Sequence, residues 1–383
     1  MLARTLECVG GRAATYAEVC RSPETEALLC AWEADDPGAL RRVRELLERS
    51  GIEPPDTDLI TWGQAMGFEE TQARDEVATA LEEAIEDGRL TPGSAGFRRR
   101  QAQVADAALL GPWSGGPGFS RFDAVRAERF KRWLERGHTL GSAERQGILE
   151  PVASVVAADP RPVERESASV ALAPALWLLE RAEDGIALTQ TGALNRALVR
   201  AVAARWPEWW RGEGYGPPSG EGDVRPLQEL HQLLRGLRLV RRTGRRIVVT
   251  ARGRRLRDDP PALLEALACE LLAGQTFHAG CAELAAAIML HGAVLDFSNA
   301  VADRVWPAIV AEGWHLDGAR PSTLDVWRQI IDFAWRAEAI GVVIRAGTGW
   351  RLPPAPFVLT DPGRAALAAA LHARALAPAT TLG

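Results

Sequence analysis

One short pattern occurs three times in this chain and constrains its fold more than any other feature of the sequence. It consists of an apolar run, a threonine, two further residues and a glycine: IALTQTGAL at 186–194, IVVTARGRRL at 247–256 and FVLTDPGRAAL at 357–367. The apolar run predicts the last strand of a hairpin, and the threonine hydroxyl can cap the next helix by accepting an amide hydrogen bond. The glycine lets the backbone of that helix pass close to the sheet. The repeat therefore predicts a strand and a capped helix at three places.

Two of the three copies also show an earlier strand. The strings LRLVRR and RRIVVT are separated by a tight turn and predict a hairpin at 237–250. Residues 341–360 predict a longer hairpin whose prolines confine its middle to a loop. Each hairpin follows an amphipathic helix, predicted at 226–237 and at 324–341. Helices, a two-stranded hairpin and a capped helix are the order of elements in a winged helix.

The apolar-Thr-x-x-Gly string after a basic hairpin resembles the wing and following helix of winged-helix regulators of the MarR and PadR kinds. Residues from about 186 to 375 are also similar to the C-terminal region of uncharacterised actinobacterial proteins, some of them fused to plasmid or transposon-passenger domains. That similarity rests on LTQTGALNRALVRAV, LRLVRRTGRRIVVTARGRRL, EGW at 312–314 and LTDPGRAAL. The resemblance implies winged-helix modules and DNA contact through a wing. It implies no particular activity, because none is known for the similar uncharacterised proteins.

The periodicity of the chain predicts a mainly α protein in which tandem winged-helix-like modules, made of helices and short β-hairpins, follow an acidic helical N-terminal domain. Helical spacing of apolar residues occurs at 38–51 and 71–88, and GPWSGGPGFS predicts a linker. The predicted segments are an acidic helical domain at 1–110, a linker at 111–121, a helical or partial winged-helix module at 122–198, a winged-helix module with a basic wing at 199–260, a helical hairpin at 261–298 and a C-terminal winged-helix-like module at 299–383.

Composition places the chain among globular proteins of the cytoplasm. Its 383 residues are 47% hydrophobic, enough for several buried cores. The longest apolar runs are too short to span a membrane, and the N-terminus has no apolar signal-peptide core, so we expect no membrane association. Five cysteines form no CxxC motif and are odd in number, so we expect no disulfide framework.

Charge is distributed unevenly along the sequence. The net charge is −5, and residues 1–100 carry 12 basic and 20 acidic residues, whereas residues 235–257 hold ten arginines and no acid. Only Lys131 among the 45 basic residues is a lysine, so codon bias explains part of the arginine count. Candidate nucleic-acid-binding residues are Arg241, Arg242, Arg245 and Arg246 on the hairpin, with Arg252, Arg254 and Arg255 in the next helix.

Three interpretations of these arginines remain open. They can contact phosphates, they can pair with carboxylates of a protein partner or of the acidic N-terminal part, or they can form a solvated surface. The leading hypothesis is a cytoplasmic winged-helix protein that binds double-stranded DNA, for regulation or in the biology of mobile elements. The alternative is a non-enzymatic protein–protein interaction scaffold built of winged-helix modules.

The sequence offers no convincing catalytic or metal site. Cys269, His278, Cys281 and His291 have the ligand types of a zinc site, but the two histidines are 13 residues apart in one predicted helix. That spacing separates them by about 20 Å, so they can share one ion only if the helix breaks, at Gly280 or Gly292. Neither a Walker loop, an HExxH motif nor a dinucleotide fingerprint is present. We therefore expect no enzyme activity, no cofactor and no metal.

Overall fold

The computed structural model of the chain describes residues 23–34, 36, 38–39, 41–42, 51–112, 118–136, 142–210, 216–346 and 355–379. This described part is mainly helical and contains two small antiparallel sheets, which confirms the predicted mainly α class. The chain divides into two compact units, residues 1–128 with 378–383 and residues 129–377. Among the described residues, no helix combines the length and the apolar character needed to cross a membrane.

The first unit is built from helices around a small apolar core. Its helices are α1 (Pro23–Glu33), α2 (Phe68–Glu86), α3 (Phe97–Leu109) and the beginning of α4 (Arg121–Glu135). The predicted helix at 71–88 is confirmed, and Val77 and Leu81 on its apolar face are buried in that core. The N-terminus of α2 is capped from a distance, because the amides of Glu69 and Glu70 donate to the Glu128 carboxylate at 3.2 and 3.1 Å.

Two of the predictions fall partly outside the described residues. Most of the predicted helix at 38–51 lies there, as do residues 113–117 of the predicted linker. The ends of the linker are paired, since Pro112 and Ser120 form an antiparallel bridge. Pro112 and Ser120, near the two ends of the predicted linker, therefore lie next to each other.

Most of the secondary structure in the described residues lies in the second unit. Its helices after α4 are α5 (Ala143–Leu149), α6 (Ala153–Ala157), α7 (Arg165–Ala171), α8 (Ala173–Arg181), α9 (Arg196–Arg205), α10 (Arg225–Gly236), α11 (Ala251–Arg257), α12 (Pro260–Leu271), α13 (Phe277–Leu290), α14 (Ala300–Ala311), α15 (Thr323–Ala339) and α16 (Asp361–Ala375). The strands are β1 (Ile186–Ala187), β2 (Val240–Thr243), β3 (Arg246–Val249), β4 (Val343–Arg345) and β5 (Phe357–Leu359). Short 3-10 helices lie at Glu150–Val152, Pro207–Trp209 and Glu221–Asp223.

The two sheets are built in the same order. In the first sheet, β3 lies between β1 and β2, with Ile247 opposite Ile186 on one side and Arg242 on the other. In the second, β4 pairs with β5, and Leu295 forms a bridge to Phe357 on the other side of β5. Each sheet thus combines a hairpin with a short extended segment that precedes two helices.

The Thr-x-x-Gly prediction is confirmed at two of its three positions. The Thr250 hydroxyl accepts from the Gly253 amide at 3.0 Å, and a Cβ added to Gly253 would lie 2.2 Å from the Leu239 carbonyl oxygen. At the second position, Thr360 accepts from Gly363 at 3.0 Å, and the corresponding distance from Gly363 to the Val342 oxygen is 2.0 Å. Both threonines are N-caps, and both glycines allow a helix to contact a hairpin strand directly.

The prediction is wrong for the first copy. Thr189 does not cap a helix: it lies in a tight turn in which its amide donates to Ala193 at 2.8 Å and its hydroxyl accepts from the same residue. The next helix, α9, is capped by the side chain of Asn195 instead. The apolar run before Thr189 is also not the last strand of a hairpin, because it contributes β1, which pairs with β3. The predicted limit between residues 198 and 199 consequently falls inside α9.

The hairpin predicted at 341–360 is represented by its described strands β4 and β5, and the helix predicted before it is present. The predicted helix at 324–341 corresponds to α15, and residues 347–354 of the hairpin lie outside the described residues. Trp327 and Trp335 pack against the core, and Ile331 on the same helix is buried. The helices predicted within 261–298 are α12 and α13.

A cluster of charges lies inside the core of the second unit. The Glu283 carboxylate is fully buried and lies 2.5 Å from Arg145, 2.9 Å from Arg136 and 2.7 Å from Arg374. Glu312, the first residue of the EGW string, accepts from Arg145 at 2.6 Å. Burial alone would raise the pKa of Glu283, but the three guanidinium groups outweigh it and hold this pKa well below its usual range.

Candidate nucleic-acid interface

The basic wing consists of Arg241, Arg242, Arg245 and Arg246 on the hairpin of β2 and β3. Thr243 pairs with Arg246, so the hairpin turn is formed by Gly244 and Arg245. Gly244 has a φ of +60°, which a two-residue turn of type II′ requires at its first central position. The turn therefore places arginines on both strands and at the tip.

All four wing arginines are exposed to solvent. Arg242 uses its Nε to donate to the Gly244 carbonyl at 2.9 Å, which leaves its terminal nitrogens free of that contact. Within the described part of the chain, none of the four forms an ion pair with a carboxylate. Because β2 is an edge of its sheet, Arg241 and Arg242 lie where a ligand can approach them, and Arg246 on the central strand β3 is exposed as well.

The three predicted arginines of α11 do not share one environment. Arg254 pairs with Glu183 at 2.9 Å, and Glu183 also accepts from Arg257 at 2.8 Å. The hydrogen bond from Arg254 holds the pKa of Glu183 below its usual range. Arg252 and Arg255 are exposed and have no ion pair to a described carboxylate. The structure therefore leaves six of the seven predicted arginines available and engages Arg254 within the fold.

Helix α10, which precedes the wing, presents few polar side chains to solvent. Gln232 and Arg235 are exposed and Gln228 is half-buried. His231 is buried, and its Nδ1 lies 2.7 Å from the Glu221 carboxylate, so it cannot reach a base. Only a narrow part of this helix is open to a ligand.

Another part of the surface of α10 packs against α15. Arg225 at the start of α10 contacts Asp332 of α15 at 3.0 Å and Glu229 of its own helix at 2.7 Å. Burial at this contact raises the pKa of Glu229. The helices that precede the two hairpins are thus packed together instead of facing outward. The wing, and not α10, is the open basic surface of this part of the fold.

The four residues considered for a metal site have other surroundings. His278 contacts Gln329 through Nδ1 and Arg336 through Nε2, and burial lowers its pKa. Burial raises the pKa of Cys269 to about 11 and that of Cys281 further. In the described ranges, no group of three or more His, Cys, Asp or Glu residues could hold a metal ion.

Sequence reasoning missed Glu183, which pairs with two arginines of α11. It lies 71 positions before Arg254 and carries no local signal. Its place follows from the sheet, since β1 begins three residues later and pairs with β3, directly before α11. Only the pairing of β1 could have pointed to this contact.

Comparison with known proteins finds similarity for one segment of the chain. Residues 167–262 match a family described as the Y4jL N-terminal domain. An uncharacterised protein named y4jL from Sinorhizobium fredii (strain NBRC 101917 / NGR234) is 35% identical over 94 residues, which is 24% of this chain and 43% of that protein. No solved structure matches the chain. The similar segment runs from α7 into α12 and includes the first sheet, so it contains all seven predicted arginines.

Proposed function

We propose that residues 165–257 form a winged-helix module and that residues 277–375 form a second one, modified from the same plan. The order helix, short strand, two helices and hairpin supports this proposal in the first segment, and the second segment follows the same order with the bridging residue Leu295 in place of the short strand. In the first segment, β3 lies between β1 and β2. In the second, β5 lies between β4 and the bridging residue Leu295, and this shared arrangement also supports the proposal. The resemblance to MarR and PadR wings applies best to the first module, whose hairpin is basic.

The function that the geometry supports best is binding of double-stranded DNA through the phosphate backbone. One observation carries it: six exposed arginines on the wing and on α11 have no ion pair to any described carboxylate. Uncompensated guanidinium groups on an edge hairpin suit phosphate oxygens, which arginine can bind with two parallel hydrogen bonds. In the described part of the second module's hairpin, Arg345 of β4 pairs with Glu338 at 2.8 Å.

Specific reading of bases is a minor part of this proposal. Reading in the major groove needs a helix whose outer face is free. Packing of α10 against α15 leaves Gln232 and Arg235 as its exposed polar side chains. We therefore expect affinity that depends on charge far more than on DNA sequence.

A charge reversal tests the proposed site. The variant changes Arg241, Arg242, Arg245 and Arg246 to Glu, and binding of a fluorescent 20-base-pair duplex is measured by anisotropy at low salt. We expect the affinity to fall at least a hundredfold, because four attractive contacts become repulsive. A matched control changes four exposed arginines elsewhere, Arg98, Arg99, Arg200 and Arg304, to Glu. Equal losses in the two variants would argue against a role for the wing.

A second candidate function is an interaction scaffold. The packing of α10 against α15 favours it, because this contact uses the helix that a DNA-binding module would present. In that case, the purified protein should bind duplex DNA no better than a protein of equal net charge does. The same anisotropy experiment distinguishes the two functions.

A further inference from the structure

A cavity of about 720 Å³ lies within the second unit, between the two proposed modules. One wall comes from α7, from the start of α8 and from Trp206 after α9. The other comes from the end of α15, from β4 and from the start of α16. Cavities that bind small molecules are usually about 300 to 1,000 Å³ in volume and often lie at such junctions.

Apolar side chains in this cavity are unusually open to solvent. Val170 is 73% exposed and Ile344 is 53% exposed, and they come from opposite walls. Trp206 and Pro174 extend the same lining. These two exposed apolar residues on opposite walls of one cavity offer a surface that an apolar ligand can cover.

The unpaired charges around the cavity are of one sign. Glu166 and Glu208 line it, and in the described part of the chain neither carboxylate has a hydrogen bond or ion pair. The one cation among the lining residues, Arg345, forms two hydrogen bonds of 2.8 Å with Glu338. Its guanidinium carbon also lies 4.2 Å from the centre of the Trp335 ring, and its side chain is 3% exposed. Two carboxylates therefore remain without a counter-charge.

We propose that this cavity binds an organic cation, an apolar molecule of small size that carries one amine. Val170, Ile344 and Trp206 would cover its hydrocarbon part, and Glu166 with Glu208 would attract its ammonium group. An anion has no free lining cation to meet, because Arg345 is already paired. A neutral molecule leaves both carboxylates uncompensated. This inference does not depend on the proposed DNA binding, since the basic wing is not part of the lining.

Three naphthalene probes of the same shape test the proposal on the full-length protein. They are 2-(1-naphthyl)ethylamine, 2-(1-naphthyl)ethanol and 1-naphthylacetate, and their affinities are compared by isothermal titration calorimetry. We expect the amine to bind at least tenfold more tightly than the alcohol, and the acetate to bind more weakly than both. Equal affinities, or no binding of the amine at 1 mM (about the weakest affinity that matters for such a site), would overturn the proposal.

Substitutions then locate the site. The double variant Glu166→Gln and Glu208→Gln should reduce the affinity for the amine to that of the alcohol. The matched control Glu180→Gln and Glu265→Gln changes two exposed carboxylates outside the lining and should leave the affinity unchanged. Val170→Lys adds a cation at an exposed position and should weaken amine binding at least tenfold without affecting folding, which circular dichroism checks. Amine binding that survives both lining variants would contradict the assignment to this cavity.

Discussion

The junction of helix, hairpin and capped helix is built from the same residue contacts in both modules. The Thr250 hydroxyl donates to the Arg238 carbonyl at 2.8 Å, and the Thr360 hydroxyl donates to the Gly341 carbonyl at 2.9 Å. Arg238 has a φ of +56° and Gly341 one of +68°, so both residues occupy the left-handed region. A non-glycine residue costs about 1 to 2 kcal/mol in that region. The arginine persists there because the threonine and the strand fix its backbone.

Gly253 tests the close approach of α11 to the hairpin. Gly253→Ala places a methyl group against the Leu239 carbonyl oxygen, at a distance that no relaxation of a side chain can relieve. We expect the free energy of unfolding to fall by about 1 to 3 kcal/mol, as for overpacked sites. Denaturant unfolding followed by circular dichroism measures this change.

Gly147→Ala is the control for that substitution. Gly147 lies in α5, and an added Cβ would meet no atom within 4 Å. Alanine has the higher helix propensity, so we expect this variant to gain up to about 1 kcal/mol. If both glycine variants lost stability equally, the close approach at Gly253 would not be the cause.

The helix caps show which contacts of single residues the local sequence can predict. Thr250 and Thr360 were predictable because a strand, a threonine and a glycine occur together in each string. Thr189 has the same string, but Asn195 follows it and caps the helix instead. The sheet decides which of the two residues caps the helix. After β1, Leu188 forms a bridge to Leu194, so the helix begins only after that bridge, and the Thr-x-x-Gly string does not predict this pairing.

At the scale of elements, the buried charges join five segments of the second unit. Arg136 follows α4, Arg145 belongs to α5, Glu283 to α13 and Arg374 to α16, while Glu312 follows α14. Removal of one partner from such a cluster leaves a buried charge without compensation. The cluster therefore makes the packing of these segments interdependent.

Glu283→Gln tests that dependence. We expect the free energy of unfolding at neutral pH to fall by about 3 to 5 kcal/mol. Because the folded pKa of Glu283 is lowered, its contribution is present above the ordinary carboxyl pKa of about 4.3 and is lost as the pH falls towards the folded value. The difference between wild type and variant should therefore shrink as the pH is lowered to about 3, which denaturant unfolding at several pH values would show.

Glu265→Gln provides the matched control. Glu265 is an exposed carboxylate of α12, so its replacement should change stability by no more than about 0.5 kcal/mol at either pH. A similar loss in this variant would mean that net charge, and not the buried cluster, determines the effect.

Helices and hairpins were largely predictable, whereas their partners were not. The periodicity of apolar residues predicted α2, α10 and α15 within a few residues of their ends. Burial of α10 against α15 was not predictable, because the contact joins residues 107 positions apart. Strand β1 has only two residues, so its sequence could not indicate which strand it pairs with. The wing arginines were identified correctly as a basic hairpin, but the ion pair of Arg254 depends on β1.

At the scale of the whole molecule, the proposed interface predicts a particular kind of specificity. Four wing arginines and two arginines of α11 can contact phosphates, while α10 offers few side chains to bases. We expect duplexes of equal length and different sequence to bind within about threefold of one another, well below the discrimination that base contacts supply. Competition between several random duplexes and one labelled duplex measures this. A strong preference for one sequence would require a base-reading surface elsewhere.

The salt dependence of DNA binding tests the central proposal most directly. The affinity of the wild-type protein for a 20-base-pair duplex is measured between 50 and 200 mM salt, beside the variant with Arg241, Arg242, Arg245 and Arg246 changed to Glu. Six phosphate contacts predict that wild-type affinity falls roughly a thousandfold over this range and that the variant loses most of the affinity and most of the slope. Wild-type binding that is insensitive to salt, or a slope that is the same in the variant, would contradict binding through the basic wing.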